Sequence, residues 1–172
     1  MQGHPNMNDV SGVDMSSGSL GQGLSVANGI AISGKLENKD YRVYCILGDG
    51  EIEEGQIWEA AMASNKYKLD NLCVIVDNNN LQIDGTIEEV MSSYPIDKKF
   101  ESFGFNVICI DGHNIQEIKE AFKEARNTKG KPTCIIAKTI KGKGVSFMEN
   151  QVGWHGKAPN KEQYENAMKD LQ

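Results

Sequence analysis

Four short apolar runs, at 43–47, 72–76, 106–110 and 133–137, limit the possible folds more than any other feature of the chain. Each run is continuous rather than alternating, the pattern of a strand covered on both faces, as in a buried parallel sheet. Stretches with helical spacing accompany them, at 56–64 after the first run, 97–103 before the third and 115–126 between the third and fourth. Parallel neighbours need a crossover about as long as a helix. The repeated strand–helix–strand order therefore predicts a doubly wound α/β fold, a parallel sheet flanked by helices. At 172 residues the chain suits one domain, with a core that needs no disulfide or structural metal.

Outside the runs, residues 20–36 read as a helix rich in small residues, with Gly18, Gly21, Gly23, Gly29 and Gly34 in or beside it. Small residues permit close backbone approach. A short polar helix is predicted over 161–171, and 138–159 reads as one long loop, of a length usually functional or disordered. Residues 1–19 are polar and glycine-rich with no element before them, which predicts that they lie on another segment or chain.

Composition removes several function classes. The net charge is −6 with a pI near 5.1, and no segment is both basic and aromatic, so nucleic acid is not an expected partner. No apolar run approaches the roughly 20 residues that span a bilayer. The opening Met1-Gln2-Gly3-His4-Pro5 does not resemble a signal peptide, and a soluble, cytoplasmic protein is expected. Cys45, Cys73, Cys109 and Cys134 sit in separate apolar runs with no CxxC pair, which predicts reduced core thiols.

The chemistry begins where the first run enters Gly48-Asp49-Gly50-Glu51. That turn falls at the carboxyl end of a predicted parallel strand, where open α/β sheets bind ligands. Flanking glycines let a diphosphate approach backbone N–H groups, and the helix beyond adds donors and a favourable dipole. Asp49 repels a polyphosphate unless a divalent cation stands between them. The second run ends in Asp77-Asn78-Asn79-Asn80-Leu81, thirty positions from Asp49 at Asn79, about one helical crossover. Alone, an Asp between glycines is most often a plain turn, and an Asn run most often a loop or cap. Together, on adjacent strand ends, they predict oxygens converging on one octahedral cation. A dinucleotide fingerprint starting at Gly48 fails, because position 53 holds Glu53 rather than glycine.

Gly48-Asp49-Gly50 followed by Asn78-Asn79 resembles the motif of thiamin-diphosphate enzymes. Gly3-His4-Pro5, Ser17-Gly18-Ser19-Leu20-Gly21-Gln22-Gly23, Ile83-Asp84-Gly85 and Trp154-His155-Gly156-Lys157 resemble transketolase segments in transketolase order. The resemblance covers nearly the whole chain, as the diphosphate-binding part of a transketolase, akin to the N-terminal subunit of a split enzyme and cut at its amino end. It implies that Asp49, Asn79 and the Leu81 carbonyl hold Mg²⁺, with Ca²⁺ or Mn²⁺ as substitutes, and that Gly50 contacts the diphosphate. Gly18, Ser19 and Leu20 would lie against the aminopyrimidine ring, and His4 and His155 would serve catalysis, His155 also touching the cofactor. Imidazoles suit that role, since they hydrogen-bond hydroxyls and move protons near neutral pH. Lys141 resembles a lysine that reaches the cofactor, with Lys138 and Lys143 as competitors, while His113 reads as structural. Glu54 and Glu59 correspond to an acidic network between the two sites of a dimer.

The family's activating glutamate sits in a pyrimidine-binding domain of which this sequence shows no trace. The expected activity is transfer of a two-carbon ketol unit between sugar phosphates in the pentose phosphate pathway, within a dimer or heterotetramer completed by a pyrimidine-binding subunit. The alternatives are a deoxyxylulose-phosphate synthase, a 2-oxo acid dehydrogenase, and an inactive module that only binds cofactor or partner.

Overall fold

The computed structural model describes residues 3–172, so the first two residues of the opening segment lie outside it. The chain runs α1 (Gly23–Leu36), β1 (Val43–Gly48), α2 (Gly55–Lys66), β2 (Leu72–Asn78), β3 (Leu81–Gln82), β4 (Gly85–Thr86), α3 (Ile87–Val90), α4 (Ile96–Ser102), β5 (Asn106–Asp111), α5 (Ile115–Asn127), β6 (Thr133–Lys138) and α6 (Lys161–Asp170). Strands β1, β2, β6 and β5 form one parallel sheet in that spatial order, and β3 and β4 make a separate small hairpin. The four apolar runs are the four strands of the main sheet. Register aligns Gly48 with Asp77, and Lys138 with both Asn78 and Asp111, so the carboxyl ends share one edge.

One sheet face carries α1, α2 and α4, which bury Leu24, Ile57 and Phe100 against Leu47, Val74 and Ile136. The small residues of α1 let the helices close up. The Asn28 amide donates to the Ala60 carbonyl at 2.8 Å and accepts from the Ser64 hydroxyl at 2.7 Å, which leaves this buried polar pair satisfied. At Gly34 an added Cβ would lie 2.8 Å from the Tyr41 ring, which would have to shift to make room for it.

The other face is covered by α5 alone, through Ala121 and Ala125 on Cys73 and Ile135. A helix about 10–12 Å across spans little more than two strand spacings of about 4.8 Å, so it cannot reach over four strands. Edge strand β1 therefore alternates, with Ile46 74% exposed and Tyr44 47% exposed, the latter meeting α5 only edge-on through the Phe122 ring at 5.5 Å. This corrects the expectation that every run is covered on both faces.

Cys109 on the opposite edge is exposed, so only Cys45, Cys73 and Cys134 are core thiols; all four are free. Burial pushes Cys45 up to about 12 and Cys73 to about 11, which keeps both protonated and inert at neutral pH. Helix α1 starts three residues later than the sequence suggests, because Gly21 at φ +84° cannot lie in a right-handed helix. After β6 the long loop folds back on itself: the Gly144 N–H donates to Glu149 at 2.9 Å and the Asn150 N–H to the Lys141 carbonyl at 3.0 Å. Among the described residues no helix is long and apolar enough to cross a membrane.

Candidate functional site

Strand β1 delivers Asp49 to the shared edge, 1% exposed. Its Oδ1 accepts from the Gly50 N–H at 3.0 Å, and its Oδ2 from the Asn78 amide at 3.0 Å and the Asn80 N–H at 2.6 Å. Burial nonetheless holds its carboxyl above the usual range, the hydrogen bonds only partly offsetting the desolvation and the nearby Asp77. Among the described residues no lysine, arginine or histidine forms an ion pair with it. A buried carboxylate with an acceptor site left on Oδ1 and no cation partner among the described residues fits a divalent metal.

The asparagine that touches Asp49 is Asn78. Asn79, one residue on, turns its amide to the Asp77 carboxylate at 3.1 Å while its Oδ1 accepts from the Leu81 N–H at 3.0 Å. Leu81 opens the hairpin, paired with Thr86. Gly50 is a close approach: an added Cβ would stand 3.1 Å from the Gln82 side chain. These donors, a carboxylate, an amide oxygen and a backbone carbonyl, are hard oxygen ligands of the type Mg²⁺ takes.

A second cluster joins His4, Gly18 and Ser19 around a cavity of about 410 Å³. The His4 ring packs on Gly18 so closely that a Cβ there would lie 3.0 Å from it. Leu20 is 60% exposed beside this cluster. The two clusters are tied together by Glu51, which sequence reasoning passed over. One of its carboxylate oxygens accepts from the Gly21 N–H at 2.9 Å and the other from the Gly48 N–H at 3.0 Å. The available signal was an acid three residues past a glycine, placed to fold back on that glycine's N–H. Glu51→Gln keeps only one acceptor oxygen, so one N–H is left facing an amide nitrogen. The expected loss is about 1–3 kcal/mol in urea unfolding, with faster hydrogen exchange at Gly21 or Gly48; unchanged exchange at both would refute the clamp.

The remaining predicted residues stand apart. His155 is exposed after a 3₁₀ turn at Val152–Trp154, with its N–H on the Val152 carbonyl at 3.0 Å. Lys141 is half-buried in the loop, while Lys138 and Lys143 line a larger cavity of about 990 Å³ with Tyr94, Cys109 and His113. His113 accepts from the Ile140 N–H at 2.8 Å through Nε2. Glu54 packs against Gly21, Glu59 is exposed on α2, and among the described residues no hydrogen bond joins them.

A buried strand-end carboxylate with glycines and amides around it, at the carboxyl edge of an open parallel sheet, has the chemistry to anchor a cofactor through a cation. Residues 1–171 match the family described as "Transketolase, thiamine diphosphate binding domain", and the chain belongs to it. An apulose-4-phosphate transketolase subunit of Phocaeicola vulgatus is 45% identical over 171 residues, which are 99% of this chain and 60% of that protein. The 6-deoxy-6-sulfo-D-fructose transketolase subunit SqwG of a Clostridium species is 42% identical over 98% of this chain and 62% of its own. The transketolase crystal structure from Campylobacter jejuni superposes with a TM-score of 0.87 at 34% identity, over 93% of this chain and 26% of that one. The chain thus spans 60–62% of the length of the two subunits.

Proposed function

We propose that the chain is the diphosphate- and Mg²⁺-binding half of a transketolase that moves a two-carbon ketol unit between sugar phosphates. The observation that carries this is the 45% identity, across 99% of the chain, to a protein named as a transketolase subunit. The word "subunit" in the names of these relatives supports a pyrimidine-binding partner, supplied by a further chain or segment, in a dimer or heterotetramer. Residues 1–172 would then be a single, partial cofactor-binding domain working in the cytoplasm, in pentose phosphate chemistry.

When bound, thiamin diphosphate supplies the carbanion chemistry. The chain's own residues anchor and orient. Asp49, Asn79 and the Leu81 carbonyl would hold Mg²⁺, and Gly50 and Lys141 would contact the diphosphate. Gly18, Ser19 and Leu20 offer backbone to the aminopyrimidine. His4 and His155 hydrogen-bond the donor sugar and exchange protons with its hydroxyls. Glu54 and Glu59 face the matching site of the dimer.

The test is a ketol-transfer assay with xylulose 5-phosphate and ribose 5-phosphate, run with a pyrimidine-domain subunit from a split relative. Transfer that needs both chains, thiamin diphosphate and Mg²⁺ is expected. Turnover of pyruvate alone would assign a different thiamin-diphosphate reaction, and no Mg²⁺-dependent cofactor binding would refute the site.

A further inference from the structure

Asp77 lies at the end of β2 between the proposed cation ligands and the loop that carries Lys141, and the reaction as described gives it no task. Both of its carboxylate oxygens are used. Oδ2 accepts from the Asn79 amide at 3.1 Å, and Oδ1 accepts from the Thr139 hydroxyl, 62 residues away in sequence. A carboxylate only accepts, so it selects the NH₂ end of the Asn79 amide and turns the oxygen the other way. That oxygen accepts from the Leu81 N–H at 3.0 Å and keeps a lone pair for a cation.

Thr139 is held on two sides. Its backbone N–H donates to the Asn78 carbonyl at 3.1 Å while its hydroxyl reaches Asp77. The next residue continues the tie, the Ile140 N–H donating to His113 Nε2 at 2.8 Å. Lys141 follows directly. The first two residues beyond β6 are therefore fastened to the ends of both neighbouring strands, as the β2-β6-β5 order allows.

We propose that Asp77 and Thr139 are positioning residues that orient the Asn79 amide toward the cation and fasten the Lys141 loop to the same strand end. The cation anchor and the diphosphate anchor are then set together. This rests on the cofactor reading above, and outer groups that orient metal ligands typically change metal affinity about 10–100-fold when removed.

Thr139→Val removes the hydroxyl at nearly constant shape, Thr139→Ser restores it, and Thr139→Ala is a second hydroxyl-free variant should valine not fold. Calorimetric titration of thiamin diphosphate at a series of Mg²⁺ concentrations, with the chain joined to the pyrimidine-domain subunit of a split relative, is expected to show a roughly tenfold higher Mg²⁺ requirement for the valine variant, with serine close to wild type. Hydrogen exchange in the cofactor-free chain should quicken at positions 139 and 140 in the hydroxyl-free variants and not in the serine variant. An unchanged Mg²⁺ requirement in the valine variant, beside normal wild-type binding, overturns the positioning role and leaves the cofactor reading intact. Serine as weak as valine overturns it too, since packing of the methyl would then be the cause. Wild type without Mg²⁺-dependent binding overturns the cofactor reading, and with it the role toward the cation.

Discussion

Asp49→Ala is expected to abolish Mg²⁺-dependent binding of thiamin diphosphate. Removing one partner of a buried, hydrogen-bonded charge pair costs about 2–5 kcal/mol, a loss of affinity of roughly thirtyfold to several thousandfold. The proposed cation has no second carboxylate here to fall back on, because the neighbouring Asp77 is already committed to Asn79 and Thr139. Alanine also strips the acceptor from the Gly50 and Asn80 N–H groups and from the Asn78 amide, at about 1–3 kcal/mol for each buried donor left unpaired. Asp49→Asn separates the two effects, since it keeps the volume and one acceptor oxygen but no charge. Both variants should fail to bind cofactor by calorimetry, and alanine should lose more stability in urea. Wild-type affinity in Asp49→Asn would show that the carboxylate does not hold the cation.

Much of this geometry can be read from the sequence, and the exceptions have definite causes. The four strands were legible because a continuous apolar run bounded by turn residues admits few other readings. The open face of β1 was not, since apolar periodicity records what a residue is and not how far α5 reaches across the sheet. Tyr44 and Ile46 look like core in the sequence and lie 47% and 74% exposed in the fold. Adjacent residues at a strand end point to opposite sides, so whether Asn78 or Asn79 meets Asp49 depends on where β2 stops being pleated. Glu51 and the Asp77–Thr139 contact were hidden for another reason. The first joins segments 30 positions apart and the second segments 62 apart, and each exists only once the strand order is known. The packing of His4 on Gly18 was not legible either, because the resemblance assigns the two residues separately and nothing in the spacing brings a histidine onto that turn.

Phe100→Ala is expected to cost about 3–5 kcal/mol, a large share of the roughly 5–15 kcal/mol that holds a domain together. Phe100 is fully buried and is the centre of an aromatic cluster, 5.2 Å from the Trp58 ring on α2 and 5.2 Å edge-on to Phe105 at the entry to β5. Trp58 in turn stacks on Phe103 at 5.4 Å. Helix α4 has only seven residues, too few to persist without tertiary contacts, so this ring largely fixes where it sits. The consequence extends to the site, because Tyr94 just before α4 accepts from the Asn78 amide at 2.7 Å, and that amide also holds Asp49. Urea unfolding should show a lower midpoint with an unchanged slope, the sign of lost stability in a two-state fold. Phe100→Leu, which keeps most of the volume, should lose less. A cost below about 1 kcal/mol for alanine would mean that the cluster relaxes into the cavity, against the usual penalty for one left in a close-packed core. The position of α4, and through Tyr94 the orientation of Asn78, would then have to depend on Ile96 and the strand it covers.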